Sequence, residues 1–214
     1  MSNFELFLAS RPERRESIDE KHARFITALT QLEDPWRLDP AKVRPLPKSD
    51  RWPSVGQNLS AGLAKGFRAN VLYHSRLDLK DQARYDDIFW YNFRQSQVEF
   101  SQLVLEVFPT LLVAFNGYYG YIGDKRVFLD TDNNRRVDSR FGIDRIHQVV
   151  FCDEILCQRF FNRSVSEILK ILRDTDFLAD VVHTGCRIAM SLAPIDLEQE
   201  KKIDERLMRI LRPG

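Results

Sequence analysis

The stretch that decides the fold class spans residues 145–172 and reads RIHQVVFCDEILCQRFFNRSVSEILKIL. Its first part, residues 145–151, is rich in β-branched and apolar side chains, which predicts a buried strand. Asp153 then marks a helix start, and Ser164 with Glu167 forms the capping-box pattern of a second helix. A buried strand that leads directly into two short helices indicates that the chain mixes α and β structure.

The C-terminal part adds a hairpin and a further helix. Residues 178–192 hold two short strand-like runs, and we predict a two-residue turn between them at Thr184 and Gly185. Asp196 is predicted to begin a helix, because apolar side chains recur behind it at helical spacing.

The N-terminal half predicts two helices separated by a proline-rich connection. Residues 13–32 carry an apolar helical stripe, and residues 101–116 favour a second helix, although a strand over residues 98–105 is the alternative. Residues 34–53 hold five of the nine prolines, so we expect a connecting loop there, with Trp36 and Trp52 at its two ends pinning it to the core. The expected class is α+β: residues 1–214 form a single domain in which several amphipathic helices pack on a small, mainly antiparallel sheet.

Composition favours a soluble cytoplasmic chain. Hydrophobic residues make up 43% of the sequence, enough for a packed core, and we find no apolar run of the ~18 residues that a membrane span needs. Three cysteines are an odd number, which fits a reducing compartment better than a disulfide framework. The formal net charge is +1, so the basic excess that is usual in nucleic-acid binders is absent.

Motifs of the common enzyme classes do not occur in the sequence. It contains no GxSxG elbow, no phosphate-binding GxxxxGK[ST] loop, no GxGxxG turn and no HExxH helix. We therefore expect no catalytic residue, no metal site and no cofactor, and we favour a non-enzymatic protein. The alternative is a divalent-metal-dependent enzyme that uses the turn containing Asp130, Asp132 and Asp138, although these residues also suit a plain polar turn.

Aromatic and arginine side chains suggest contact with a partner. Residues 89–93 read FWYNF, and neither a helix nor a strand turns consecutive positions to the same side. Aromatic rings and arginine forks are also enriched where proteins meet. The predicted partner-binding residues are Trp90, Tyr118, Tyr119, Tyr121, Arg135 and Arg136. In the alternative interpretation, these rings cover a second layer of the core; the sequence also leaves a homo-oligomer open.

The order of the elements provides a further indication. An early helix opens with RRESIDE at residues 14–20 and ends in residues 25–32, a tryptophan-containing loop follows, and the chain closes with a hairpin and a terminal helix. This arrangement resembles the immunity proteins that are encoded beside bacterial polymorphic toxins or type VI secretion toxins. The resemblance implies a cytoplasmic, non-enzymatic protein that binds a cognate toxin domain and blocks it.

Overall fold

Eight strands form one antiparallel sheet at the centre of the protein. The computed structural model describes residues 3–48, 53–76, 85–125, 140, 142–143 and 145–212. The strands within these residues are β1 (Asn3–Ser10), β2 (Ser54–Asn58), β3 (Arg68–His74), β4 (Asp87–Arg94), β5 (Tyr119–Asp124), β6 (Val149–Asp153), β7 (Leu178–Val182) and β8 (Gly185–Ala189). Their order across the sheet is β2-β3-β4-β1-β5-β6-β8-β7, and each neighbouring pair is antiparallel. The sheet is wider than the small one expected.

Helices flank this sheet. Those with eight or more residues in the described part of the chain are α1 (Ile18–Gln31), α2 (Phe108–Phe115), α3 (Glu154–Phe161), α4 (Val165–Leu172) and α5 (Leu197–Leu211). The α+β class predicted from the sequence is therefore confirmed. None of the helices in the described residues combines the length and the apolar character that crossing a membrane requires.

Capping boxes begin three of these helices, including the one that the sequence predicts at Ser164. The N-cap residues are Ser17 for α1, Ser164 for α4 and Asp196 for α5. Each N-cap side chain accepts a hydrogen bond from a backbone N–H three residues later, and the side chain at that position accepts one from the N-cap N–H. These starts depend only on residues three apart in sequence.

Both faces of the sheet bury apolar side chains. On the first face, α1 and α2 pack over a core that includes Leu6 of β1 and Phe89 of β4. On the second face, α3, α4 and α5 cover a core that includes Val150 of β6 and Ile188 of β8. Because successive strand residues point to opposite faces, β1 places Leu6 in the first core and Ala9 in the second.

The predicted helix over residues 101–116 is confirmed, but it is not uniform. It begins with a short α-helical turn at Phe100–Gln102, widens into a π-helix at Leu103–Val107 and continues as α2. Pro109 lies in the first turn of α2, and a proline has no N–H to donate back into the preceding turn. A π-turn beside this position is a local way to accommodate the missing hydrogen bond.

The strand predicted over residues 145–151 begins only at Val149 and runs to Asp153. The preceding Gln148 is buried, and its Nε2 donates to the carbonyl oxygen of Ala193 at 2.7 Å. This side chain therefore ties the residues before β6 to the loop that follows β8.

The hairpin between β7 and β8 is confirmed, but its turn is displaced by one residue. Because β8 already begins at Gly185, the turn residues are His183 and Thr184. His183 has φ 50°, in the left-handed region that non-glycine residues seldom adopt. Gly185 therefore lies within β8. Its position accepts only glycine, because its Cα is so close to β6 that a Cβ would meet the Cys152 carbonyl oxygen at 2.1 Å.

The connection over residues 34–53 contains one short 3-10 helix, Pro40–Lys42, in its described part. Trp36 is fully buried, and its ring lies near three rings of the first core, with centroid distances of 5.1–5.5 Å: Phe67, Tyr91 and Phe93. The prediction that Trp36 pins this connection to the core is confirmed. Trp52, at its other end, lies outside the described residues.

Candidate partner-binding surface

One half of the second sheet face has side chains that the helices of the described residues do not bury. On β3 and β4, residues that point toward α1 are buried, whereas each residue pointing the other way is half-buried or exposed. β1 contributes the half-buried Phe7 to the same surface. We call this surface the open face, and its central residues are Phe7, Asn70, Leu72, Ile88, Trp90 and Asn92.

Trp90 lies at the centre of the open face. The strand register places it opposite Phe7 on β1 and opposite Asn70 on β3. Trp90 is half-buried, and within the described residues no hydrogen bond or ring contact involves its indole. Trp36, in contrast, is enclosed by three rings. A large apolar ring with an unused N–H is typical of a protein-binding surface.

The open face is polar at one end. Arg68 of β3 and Arg94 of β4 are exposed there, and within the described part of the chain neither belongs to an ion pair. Glu5, on the neighbouring strand β1, is already engaged: the hydroxyl of Tyr121 donates to its carboxylate at 2.9 Å, and Lys125 Nζ lies 3.4 Å from it. The other end of the face is apolar, with Leu72 paired to Ile88 in the register.

The predicted tyrosines lie mainly inside the molecule. Tyr118, Tyr119 and Tyr121 are only 3%, 4% and 7% exposed and belong to the second core. The hydroxyl of Tyr118 donates to Asp86 at 2.6 Å, and the guanidinium of Arg11 lies 3.9 Å from the centre of its ring. The core interpretation of these rings agrees with their burial, and their contact with a partner stays a prediction.

The remaining predicted residues lie outside the described part of the chain: Arg135 and Arg136 of the surface, and Asp130, Asp132 and Asp138 of the alternative metal site. Among the described residues, no group of three or more His, Cys, Asp or Glu side chains is arranged to hold a metal ion. Of the six predicted partner-binding residues, Trp90 is therefore the one that the described structure places on a partly accessible surface.

The cysteines lie together in the second core. The β6–β8 register pairs Cys152 with Cys186, and the Cys157 thiol donates to the carbonyl oxygen of Cys152 at 3.5 Å. A hydrogen bond with Cys157 and burial raise the pKa of the Cys152 thiol, and burial raises the pKa of the Cys186 thiol. Both thiols stay protonated at neutral pH, so they are weak nucleophiles and weak metal ligands.

Two shallow grooves lie on the surface of the described part of the chain. One, of about 480 Å³, is bordered by residues 95–101 and 192–194. The other, of about 390 Å³, is lined by Glu13, Arg15, Glu16, Arg24, Val113 and Asn116. Neither brings together a nucleophile and a base, and neither presents an aromatic side chain comparable to Trp90.

Arg68, Asn70 and Leu72 were not among the residues predicted from the sequence. The sequence does contain a pattern that bears on them: residues 68–74 read RANVLYH, and buried positions alternate with accessible ones along this strand. Alternation identifies two sides of a strand, but it does not say which side a helix covers. Only the positions of α1 and α2 assign these residues to the open face.

Comparison with known proteins finds the same fold in a solved structure. The chain is similar to the Pseudomonas aeruginosa T6SS protein PA0821, with a TM-score of 0.64 and 12% sequence identity. The match covers 99% of this chain and 77% of that one. No family model matches the chain, and no curated protein sequence matches it. At this identity the likeness shows a shared fold.

Proposed function

We propose that this chain is a non-enzymatic binding protein that neutralises a cognate toxin of a type VI secretion system by direct contact. The observation that carries the proposal is the open face, where the half-buried Trp90 has no ring or hydrogen-bond partner in the described residues. The T6SS protein that shares the fold, and the order of elements that resembles immunity proteins, support the same function.

The proposed mechanism is steric. The open face with its central indole gives a rigid platform, because β1, β3 and β4 are each held by strands on both sides. A toxin domain that docks on this platform loses access to its substrate without any chemical step by the inhibitor. We place this neutralisation in the cytoplasm, where three unpaired thiols are compatible with the reducing conditions.

Co-expression with the toxin encoded in the neighbouring reading frame tests the proposal. We expect cells that express the active toxin to stop growing, and cells that also express this chain to grow. A catalytically inactivated copy of the toxin should elute with this chain as one stoichiometric complex on gel filtration. Separate elution of the two folded proteins, together with unprotected cells, would contradict the proposed function.

A further inference from the structure

We propose that the open face binds an acidic segment of the partner protein, with carboxylates held by Arg68 and Arg94 and an apolar side chain seated on Trp90. This inference rests on the proposed function and identifies the chemistry of the bound surface. It uses three properties of the face: two neighbouring arginines that form no ion pair with the described residues, a central ring that has no ring contact or hydrogen bond among them, and a change from polar to apolar along the strands.

The two arginines are close neighbours on the same side of the sheet. Arg68 is paired with Asn92 in the register, and Arg94 follows Asn92 by two residues, so the two arginines are diagonal neighbours across β3 and β4. Diagonal positions on one face lie ~7–8 Å apart at their Cα atoms. Two cations at this spacing repel each other, and a carboxylate placed between them removes the repulsion.

Nothing in the described residues satisfies these guanidinium groups. Neither arginine forms an ion pair there, and the Oδ1 atom of Asn92, which lies between them, accepts no hydrogen bond. Arg76, in contrast, is paired, since both of its terminal nitrogens donate to Asp87 at 2.6 and 2.8 Å. Arg68 and Arg94 therefore keep the planar fork geometry that a carboxylate matches.

The rows of residues beside the arginines indicate where an apolar side chain of the partner binds. Trp90 lies one row from Arg68, between Asn70 and Phe7, and Leu72 and Ile88 form the next row. Along the strands, the Trp90 row lies ~7–13 Å from the arginines and the last row lies ~13–20 Å from them. A short segment that carries Asp or Glu beside a large apolar side chain fits this span, and Trp with Arg is a common energetic centre of protein interfaces.

Charge favours a protein partner over a nucleic acid. The whole chain has a formal net charge of +1, whereas nucleic-acid binders usually carry a basic excess. The carboxylate of Glu5 also lies in the same cross-strand row as Arg68, separated from it by Asn92. A phosphate backbone that follows this row would meet a negative charge, whereas a single acidic segment can engage the arginines alone.

The first test measures the affinity of the inactivated toxin for charge-reversed protein. We expect the double variant Arg68→Glu/Arg94→Glu, and separately Trp90→Ala, to weaken the complex by at least ~30-fold. The matched control is Arg173→Glu/Arg209→Glu, which makes the same charge change at exposed positions on the helical side and should leave affinity within about twofold. Thermal unfolding of each variant verifies that the fold is intact.

A second test identifies the groups that the arginines contact. In the variant Arg68→Lys/Arg94→Lys, a carbodiimide joins a lysine amine directly to a neighbouring carboxylate, and mass spectrometry locates the bond. We expect cross-links from Lys at 68 or 94 to Asp or Glu residues of one toxin segment. Cross-links confined to other lysines, with full binding by the charge-reversed protein, would overturn this inference while the proposed function stands.

Two further outcomes separate the hypotheses. If the wild-type chain forms no complex with the toxin, the proposed function and this inference both fail.

A labelled 20-nucleotide polyuridine strand serves as the probe for nucleic acid. Tight binding of this strand that falls steeply with salt and is lost in Arg68→Glu/Arg94→Glu would assign the face to nucleic acid and overturn the acidic-protein assignment.

Discussion

Lys21 and Asp87 form an ion pair in the interior of the first core, although 66 positions separate them in sequence. Lys21 Nζ lies 2.9 Å from Asp87 Oδ2, and the two side chains are 1% and 0% exposed. Arg76 donates two more hydrogen bonds to the same carboxylate, and Ser10 accepts one from Lys21. The network joins α1 to the ends of β1, β3 and β4. It therefore holds α1 on the first face of the sheet, on the side opposite the open face.

Removing the carboxylate should cost more than removing the lysine. Burial raises the pKa of Asp87, but the hydrogen bonds and charges of Arg76 and Lys21 outweigh burial and hold that pKa below its usual value. Asp87→Asn leaves two buried or nearly buried cations without a counter-ion, and we expect a loss of about 3–5 kcal/mol in the free energy of unfolding. Lys21→Met should cost less, because Arg76 still neutralises Asp87.

Urea denaturation of the two variants measures these losses. Asp176→Asn is the control, since Asp176 forms an ion pair with Arg206 in which both side chains are more than half exposed. This control should change stability little. Equal losses for Asp87→Asn and Asp176→Asn would show that the buried network does not anchor α1.

The two described tryptophans are expected to differ in their contribution to stability. Trp36→Ala removes a fully buried indole that contacts three rings, and we expect a loss of about 3–5 kcal/mol. Trp90→Ala removes a half-buried indole from the open face and should cost about 1 kcal/mol. Guanidinium denaturation measures both losses. A cost for Trp90→Ala as large as that for Trp36→Ala would place Trp90 in the core and weaken its assignment to a binding surface.

Replacing Gly185 with alanine tests how closely β8 approaches β6. A Cβ at this position would lie 2.1 Å from the Cys152 carbonyl oxygen and 2.7 Å from the Cα of Asp153, and both are backbone atoms. Gly185→Ala should therefore separate the strands and destabilise the fold by several kcal/mol, on the order of an overpacked core. Gly56→Ala is the control, because its Cβ would have ordinary contacts at 3.4 Å. Similar melting temperatures for the two variants would contradict the register of β6 and β8.

The stability of the protein should depend on pH through Glu200 of α5. Glu200 is 2% exposed, and burial raises its pKa from 4.5 to about 7. Between these two values the folded chain holds a proton that the unfolded chain releases, so the free energy of unfolding falls as pH rises from 4.5 to 7. Glu200→Gln, which cannot ionise, should be more stable than wild type by roughly 3 kcal/mol at pH 8 and similar at pH 4.5.

A buried histidine beside Glu200 also changes how stability depends on pH, so its contribution has to be separated from that of the carboxyl group. His147 lies 3.9 Å from Glu200, and burial lowers its pKa to about 3, so its own effect has the opposite sign: stability rises as pH rises from 3 to 6.5. The difference between wild type and Glu200→Gln isolates the carboxyl. Urea denaturation from pH 4.5 to 8 measures it, with the exposed Glu205→Gln as the control. Parallel curves for wild type and Glu200→Gln would disprove the raised pKa.

Features that depend on neighbouring residues were predictable from the sequence. The capping boxes that begin α1, α4 and α5 need only two side chains three positions apart, so their boundaries follow from Ser17, Ser164 and Asp196. The hairpin of β7 and β8 and the helix that ends at Phe115 likewise depend on patterns within short stretches of sequence. The α+β class follows from these elements together, because a hairpin and amphipathic helices must bury their apolar faces against one another.

Features that depend on distant residues were decided only by the tertiary structure. β1 reads NFELFLAS, and its apolar residues on both sides do not reveal that it becomes a central strand between β4 and β5. From the sequence, the tyrosines at 118, 119 and 121 suit either a partner surface or a second layer of the core, and only the packing around β5 shows that they are buried in the second core. The accessibility of Trp90, in turn, depends on which face α1 and α2 occupy. Local periodicity separates the two sides of a strand, but which side meets solvent depends on long-range packing that no short stretch of sequence encodes.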